Sequence, residues 1–255
     1  MHFILTIALI TQLSLIPKPN IDLPKLFNRA LTISCQANFN KALEIWNEIL
    51  IQEPDNGIAL SNRANVLLVL GYTEKAIIEQ TNAMKLDPMA LGILLNRGIS
   101  EEVLHQWNQA ATDYKWILES NPTYDLALYN LGNVQGSLHN WVAAHHSYQA
   151  AALARSDFTM ASSNEALMLY QLGNIADAEL KLRELIRRYP LFADARAGLT
   201  ALLWHLNLIG EAKSHWAAVV GLDPRYQQID WLRNSRHWPP QPILDLTEFL
   251  VFIDK

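Results

Sequence analysis

One asparagine recurs every 34 residues along most of this chain. The row consists of Asn28, Asn62, Asn96, Asn130 and Asn164. A primary amide carries two donors and an acceptor, so it pairs with the N–H and C=O of an extended chain whatever that chain's side chains. Asparagines also hydrogen-bond within their own protein. The row therefore predicts either peptide contact or a structural role.

The side chains that catalysis or metal binding would use lack the required spacing. Glu101 and Glu102 are adjacent carboxylates, but helix neighbours diverge by about 100° and cannot act as one acid-base couple. His139, His145 and His146 cluster without an evident further ligand from another element. The sequence has no phosphate-binding glycine loop, no Gly-x-Ser-x-Gly and no His-Glu-x-x-His. It predicts no catalytic residue, no metal and no cofactor.

Composition narrows the classes of partner. The 255 residues carry 20 Lys+Arg against 25 Asp+Glu, a net charge of −5, so no broad basic surface is available for nucleic acid. The single cysteine, Cys35, excludes an intramolecular disulfide framework and an all-cysteine metal cage. A chain this long with 50% hydrophobic residues exceeds the usual single domain, but a repeat array escapes that limit because each unit contacts only its neighbours.

The elements that position the asparagines repeat on the same 34-residue interval. Proline ends five of the six units, and serine ends one: Pro54, Pro88, Pro122, Ser156, Pro190 and Pro224. Proline lacks an N–H and disfavours the α conformation of the residue before it, so it closes one helix and opens the next unit. Apolar residues at helical spacing on both sides of a central break predict two antiparallel helices per unit.

Small and large residues alternate across each predicted pair of helices. An alanine lies twelve residues before each mark: Ala42, Ala76, Ala110, Ala144, Ala178 and Ala212. Eight residues before each mark come Trp46, Gln80, Tyr114, Tyr148, Leu182 and Trp216. Two helices pack closely where a small residue of one faces a large residue of the other. Gln80 is the one polar residue in the row of large residues, and we expect it to weaken the packing of its hairpin.

These residues resemble the tetratricopeptide repeat family, most fully in Leu128–Asn133 with Trp141, Ala144, Tyr148 and Ala151. The resemblance implies an all-α solenoid, a right-handed superhelix of six helix-turn-helix repeats at 23–56, 57–90, 91–124, 125–158, 159–192 and 193–226. Residues 227–255 are then capping helices, from Gln227 to His237 and from Ile243 to Ile253. Ser156, His105 and His139 depart from the family pattern, and the two histidines predict less tightly closed turns. The stretch from Arg233 to Pro240 resembles tails of repeat proteins from cyanobacteria and chloroplasts.

In this family the first helix of each pair lines a concave groove, which is where the asparagine row would lie. The row is similar to the asparagine ladder with which some members hold peptides. The predicted groove residues are Asn28, Asn62, Asn65, Asn96, Asn130, Asn133, Asn164, Tyr129, Tyr170 and Trp204. Because the remaining groove positions are largely apolar or aromatic, we expect an apolar or extended segment of a partner protein as the ligand.

A second family mode, the grip on a terminal carboxylate by cations of consecutive first helices, is not expected. The corresponding positions hold Phe27, Ser61, Leu95, Tyr129, Ser163 and Ala197 in one row, and Pro24, Ile58, Gly92, Leu126, Met160 and Asp194 in another. None is a cation, so a bound carboxylate would lose its water without gaining a charged partner. Arg29, Arg63 and Arg97 form a separate row that either pairs with neighbouring acids or lines the groove with charge.

The two ends of the chain carry apolar segments. Phe3 to Ile16 has no charge and is shorter than a full membrane span. It predicts export or membrane attachment, with a helix packed on the first repeat as the alternative. The predicted helix from Ile243 to Ile253 either caps the array or docks on a partner or bilayer.

Together these features predict a non-catalytic interaction scaffold or assembly factor, membrane-associated or exported rather than freely cytoplasmic. The alternative is a structural subunit whose own terminal segment occupies its groove.

Overall fold

The computed structural model describes residues 22–254, and these residues form α-helices and one short 3-10 helix, with no strand among them. They fall into two compact units, residues 22–88 and residues 89–254. The apolar segment from Phe3 to Ile16 lies outside the described residues. Within the described part of the chain, no helix has the length and apolar character needed to cross a membrane.

Residues 22–88 contain two helical hairpins. Their helices are α1 (Leu23–Cys35), α2 (Phe39–Gln52), α3 (Gly57–Val69) and α4 (Thr73–Leu86). Each helix packs against the next one along the chain. The side chains of Asp22, Asn38 and Asn56 cap the first three helices by accepting a backbone N–H from the first turn.

Residues 89–254 contain four further hairpins and a C-terminal tail. The hairpin helices are α5 (Leu91–Val103), α6 (Trp107–Ser120), α7 (Asp125–Ser137), α8 (Trp141–Ala154), α9 (Thr159–Gln171), α10 (Ile175–Arg188), α11 (Ala193–His205) and α12 (Ile209–Leu222). Two pairs of first helices from successive hairpins also contact each other, α5 with α7 and α9 with α11. The predicted all-α array of tandem helix-turn-helix units is confirmed.

The helix crossings depend on the alternation of small and large residues. All six alanines at the crossing position have no exposed surface. Four of the six large residues are aromatic, and all six are buried. A Cβ atom added to Gly98 would come 2.5 Å from the ring of Tyr114, and one on Gly132 would come 2.7 Å from Tyr148. The two tyrosines therefore fit only against glycine on the facing helix.

Every hairpin turn has the same geometry despite different residues. Ala37, Gly71, His105, His139, Gly173 and Asn207 all have positive φ, between 56° and 84°. After each of them a backbone N–H donates to the carbonyl five residues earlier, at 2.8 to 3.2 Å. The turns at His105 and His139 close as tightly as those with glycine, contrary to expectation, because this closure uses only backbone groups.

The C-terminal tail contains a 3-10 turn (Pro224–Gln227), α13 (Ile229–Asn234) and α14 (Pro240–Ile253). Helix α13 is shorter than the predicted capping helix, and α14 begins three residues earlier than predicted because proline is accepted in a first helical turn. Helix α14 packs on the first helices α9 and α11. Its inward face, including Ile243, Leu246 and Phe249, joins the core of the last two hairpins.

Candidate peptide-binding face and the C-terminal tail

The asparagines of residues 22–88 differ in what their amides do. Asn28 is exposed on α1. The Nδ2 of Asn62 donates to the carbonyl of Ile58 in its own helix, at 2.9 Å. The Oδ1 of Asn65 is buried and has no hydrogen-bond partner among the described residues. Of the predicted contact residues in this unit, Asn28 is therefore the most accessible.

Asn96 and Asn130 have the environment that recognition of a backbone requires. Both are half-buried on first helices, α5 and α7, that contact each other. Within residues 22–254, neither side-chain amide makes a hydrogen bond to the protein. Half-burial fixes an amide in place, and an unused donor and acceptor leave it able to pair with a ligand.

Asn133 and Asn164 are instead part of the protein interior. The Oδ1 of Asn133 accepts a hydrogen bond from the Tyr148 hydroxyl at 2.8 Å. Asn164 is 1% exposed, and its Nδ2 donates to the Tyr129 hydroxyl at 3.4 Å, while its Oδ1 is buried without a partner. A peptide could reach these amides only by displacing protein groups.

The predicted aromatic groove residues of the last hairpins contact the tail. The Tyr170 hydroxyl donates to Asp245 of α14, and burial followed by this hydrogen bond raises the Tyr170 pKa above its ordinary value. The Trp204 ring lies 5.1 Å from Phe252 and 5.9 Å from Phe249. Tyr129 packs on Phe158 at 4.9 Å. Helix α14 thus covers the face that Tyr170 and Trp204 would otherwise present.

One buried carboxylate on α11, Asp194, holds the tail in place. It has no exposed surface, and it accepts hydrogen bonds from four side chains. The donors are the Ser163 and Tyr226 hydroxyls at 2.6 and 2.9 Å, the Arg236 guanidinium at 2.9 Å and the Trp238 indole N–H at 3.2 Å. Three of these donors, Tyr226, Arg236 and Trp238, lie in the tail, so all hydrogen bonds of the carboxylate form only when the tail is docked.

Arg236 stays charged in this interior position. Burial by itself would lower the Arg236 pKa, but the carboxylate of Asp194 and the hydroxyls of Tyr129 and Tyr226 outweigh that effect and raise it. Sequence reasoning had not found this pair. The available signal was that Asp194 occupies a repeat position filled elsewhere by uncharged residues: Pro24, Ile58, Gly92, Leu126 and Met160.

Two of the three arginines in the predicted row pair with acids of their own hairpin. Arg63 bonds Glu79 at 2.7 Å and also donates to Asn47 at 2.8 Å. Arg97 bonds Asp113 at 2.6 Å, and this hydrogen bond raises the Arg97 pKa. Of the two alternatives for the row, pairing with neighbouring acids holds for Arg63 and Arg97. Across the described residues, no group of three or more potential metal ligands comes together.

The tandem hairpins place the chain in the α-solenoid class. The family model for the tetratricopeptide repeat matches residues 129–191 and 163–225. Human tetratricopeptide repeat protein 6 is 34% identical over 105 residues, which are 40% of this chain and 19% of that protein. Residues 129–225 of this chain are thus similar to the tetratricopeptide repeat family. The chain spans about a fifth of the length of this human relative.

Solved structures share the fold at low sequence identity. A chain of the APC/C hetero-tetramer Cut9-Hcn1 superimposes with a TM-score of 0.71 at 16% identity, covering 96% of this chain and 46% of that one. YrrB, described as a tetratricopeptide repeat protein with an unusual peptide-binding site, has a TM-score of 0.56 at 19% identity, covering 71% of this chain and 94% of its own.

Proposed function

We propose that this protein is a non-catalytic scaffold that holds an extended, largely apolar segment of a partner protein against its first helices. The match of residues 129–225 to the tetratricopeptide repeat family, and the shared fold, support an interaction scaffold. The observation that carries the finer proposal is the pair of half-buried, unpartnered amides at Asn96 and Asn130. The peptide-binding site described for YrrB adds support, since that protein shares the fold.

The proposed role of each amide is to pair with the ligand backbone. Each amide–backbone hydrogen bond contributes about 0.5–1.5 kcal/mol, so two of them change affinity by about 1–3 kcal/mol, or roughly 5- to 150-fold. Because such bonds ignore side chains, selectivity comes from neighbouring apolar positions and from the absence of cations that would favour a terminal carboxylate.

The double variant Asn96→Ala/Asn130→Ala tests this proposal. Peptides selected from a phage-displayed random library on the full chain serve as probes, and their Kd is measured by titration calorimetry. We expect the double variant to bind them at least 5-fold more weakly with an unchanged melting temperature. The matched control is Asn108→Ala, which removes an exposed asparagine of the second helix α6 and should bind as wild type does.

Two results would count against peptide contact. Unchanged affinity in the double variant would show that the amides do not reach the ligand. A large fall in melting temperature would show that they stabilise the array instead.

A structural subunit with a self-occupied groove is the second candidate, favoured by the packing of α14 on α9 and α11. In that case α14 occupies the peptide-binding face of α9 and α11. The library should then yield no peptide that binds the full chain. Selection on a chain ending at residue 239, which lacks α14 but keeps the Asp194 partners Tyr226, Arg236 and Trp238, should then yield peptides that mimic α14.

A further inference from the structure

A cavity of about 790 Å³ within residues 89–254 lies outside the face described above. Its walls come from the turns of the hairpins α5–α6 and α7–α8 and from the C-terminal tail. The lining of the cavity includes the side chains of His105, Trp107, His139, Trp141, Gln171 and Leu244. Its volume is in the range of ligand pockets and accommodates a few residues of an extended peptide.

The two hairpins contribute identical aromatic pairs, one repeat apart. The imidazole of His105 lies 5.0 Å from the indole of Trp107, and that of His139 lies 5.1 Å from Trp141. Both histidines occupy the left-handed position of the turn, and both tryptophans are the first residue of a second helix. The cavity therefore presents the same histidine–tryptophan pair twice, once from each hairpin.

Both indoles are half-buried, and each has a free donor. Within the described residues, neither the Trp107 nor the Trp141 indole N–H donates a hydrogen bond to the protein. Neither nitrogen is among the buried polar atoms that lack a partner, so both are reachable from solvent. Each histidine–tryptophan pair therefore offers a ligand a flat apolar ring. Its indole N–H can also donate a hydrogen bond to an acceptor on the ligand.

The opposite wall is part of the tail: Pro240 lines the cavity, and Pro239 before it is in an extended conformation without lining the cavity itself. Pro239 is buried with φ −75° and ψ 163°, close to polyproline II, and the backbone N–H of Gln241 donates to Gln171 Oε1 at 2.8 Å. The lining contains no Asp or Glu. Burial, with a smaller effect of Arg236, lowers the His237 pKa to about 4, so that ring is neutral at pH 7.

We propose that this cavity binds a proline-rich segment of a partner protein in the polyproline II conformation. Such a segment is extended and repeats every three residues, about 9.3 Å, so its pyrrolidine rings can pack on the flat faces of the two indoles. Its carbonyls have no internal partner and accept the two indole N–H groups. Because no Asp or Glu lines the cavity, a positively charged peptide would gain no ion pair there. The inference rests on the proposed function, because it names a ligand class and a second contact surface for the same scaffold.

The test measures fluorescence anisotropy of fluorescein-labelled decaproline with the full chain at pH 7. We expect saturable binding, and at least 10-fold weaker binding by Trp107→Ala/Trp141→Ala. The control Trp116→Ala removes another tryptophan of α6 that does not line the cavity, and it should bind as wild type does. If the double variant unfolds, Leu244→Arg gives the same test, because Leu244 is 51% exposed and its replacement narrows the cavity without disturbing the core.

Two further measurements separate this inference from the proposed function. Binding of decaproline no stronger than that of a Gly-Ser decapeptide, or unchanged in the variants, would overturn the cavity assignment. The Asn96→Ala/Asn130→Ala variant should keep decaproline binding. If decaproline does not bind, but the library peptides bind the Asn96→Ala/Asn130→Ala variant more weakly, only the assignment of the cavity is wrong. If decaproline binds, but the library peptides bind that variant as tightly as wild type, only the role of the two asparagines is wrong.

Discussion

Single residues determine how stable the contact between the two helices of a hairpin is, and Gln80 is the clearest case. Its side chain is fully buried at the crossing of α3 and α4, where other hairpins place an aromatic ring or leucine. Neither its amide nitrogen nor its amide oxygen has a hydrogen-bond partner among the described residues. Burying an unpaired polar group costs about 1–3 kcal/mol, so this crossing is under-stabilised.

Replacing Gln80 by leucine should therefore stabilise the protein. We expect Gln80→Leu to raise the free energy of unfolding by about 1–3 kcal/mol, because leucine has a similar length and no unpaired group. Urea denaturation measures the change. Gln109→Leu, at an exposed position of α6, is the matched control and should change stability by less than about 0.5 kcal/mol. A less stable Gln80→Leu would mean that the amide is bonded in solution.

The misfit of Gln80 was readable from the sequence, whereas the environments of the asparagines were not. Periodicity treats Asn96, Asn130 and Asn164 as equivalent, since they share one repeat position. Their burial differs because Asn164 lies beside Tyr129, in the part of the array where the tail packs. Only the position of Asp194, a carboxylate in an otherwise uncharged row, signalled an unusual contact there.

At the scale of helices and turns, backbone conformation and backbone hydrogen bonds account for most of the helix boundaries that the sequence predicts. Helix ends follow from proline, from capping side chains and from the backbone hydrogen bonds that close each turn. The residue at the left-handed turn position varies, from Gly71 to His139, without changing the turn. Residues other than glycine pay about 1 kcal/mol or more for this conformation, so composition at the turn was a poor guide to its closure.

The turn at Ala37 offers a test, because alanine there has φ 57° and its methyl group cannot form a hydrogen bond that would offset the strain. We expect Ala37→Gly to increase the free energy of unfolding by up to about 1 kcal/mol, since glycine adopts this φ without strain. Gly71→Ala, at the same position of the next hairpin, should destabilise by a similar amount. Equal stability of both variants and wild type in denaturant titrations would contradict a strain at these turns.

At the scale of the whole molecule, the array and its tail follow different rules. Hairpins pack on their neighbours, so a short sequence period was enough to predict them. The tail is joined to α11 and α9 by contacts across 42 to 75 residues, such as Arg236 with Asp194 and Asp245 with Tyr170. No periodic pattern encodes these contacts, which is why sequence predicted capping but neither the faces covered nor the buried ion pair.

The ion pair predicts an asymmetric response to mutation. Arg236→Met leaves Asp194 charged in a site without solvent, and we expect a loss of about 3–5 kcal/mol in the free energy of unfolding of the unit containing both. Adding Asp194→Asn should restore part of that loss, because the amide oxygen still accepts from Tyr226 and Trp238. Thermal and urea unfolding of both variants measure the difference. A double variant less stable than Arg236→Met alone would contradict this account.

The dependence of Asp194 on the tail also sets an order of events during synthesis. Asp194 leaves the ribosome before Tyr226, Arg236 and Trp238, and until they follow, Ser163 is its one partner among the four donors. The fifth and sixth hairpins therefore cannot reach their final packing while those residues are still inside the exit tunnel. A product cut short by an early stop codon would keep an unpaired carboxylate in its interior, which makes it a substrate for cellular quality control.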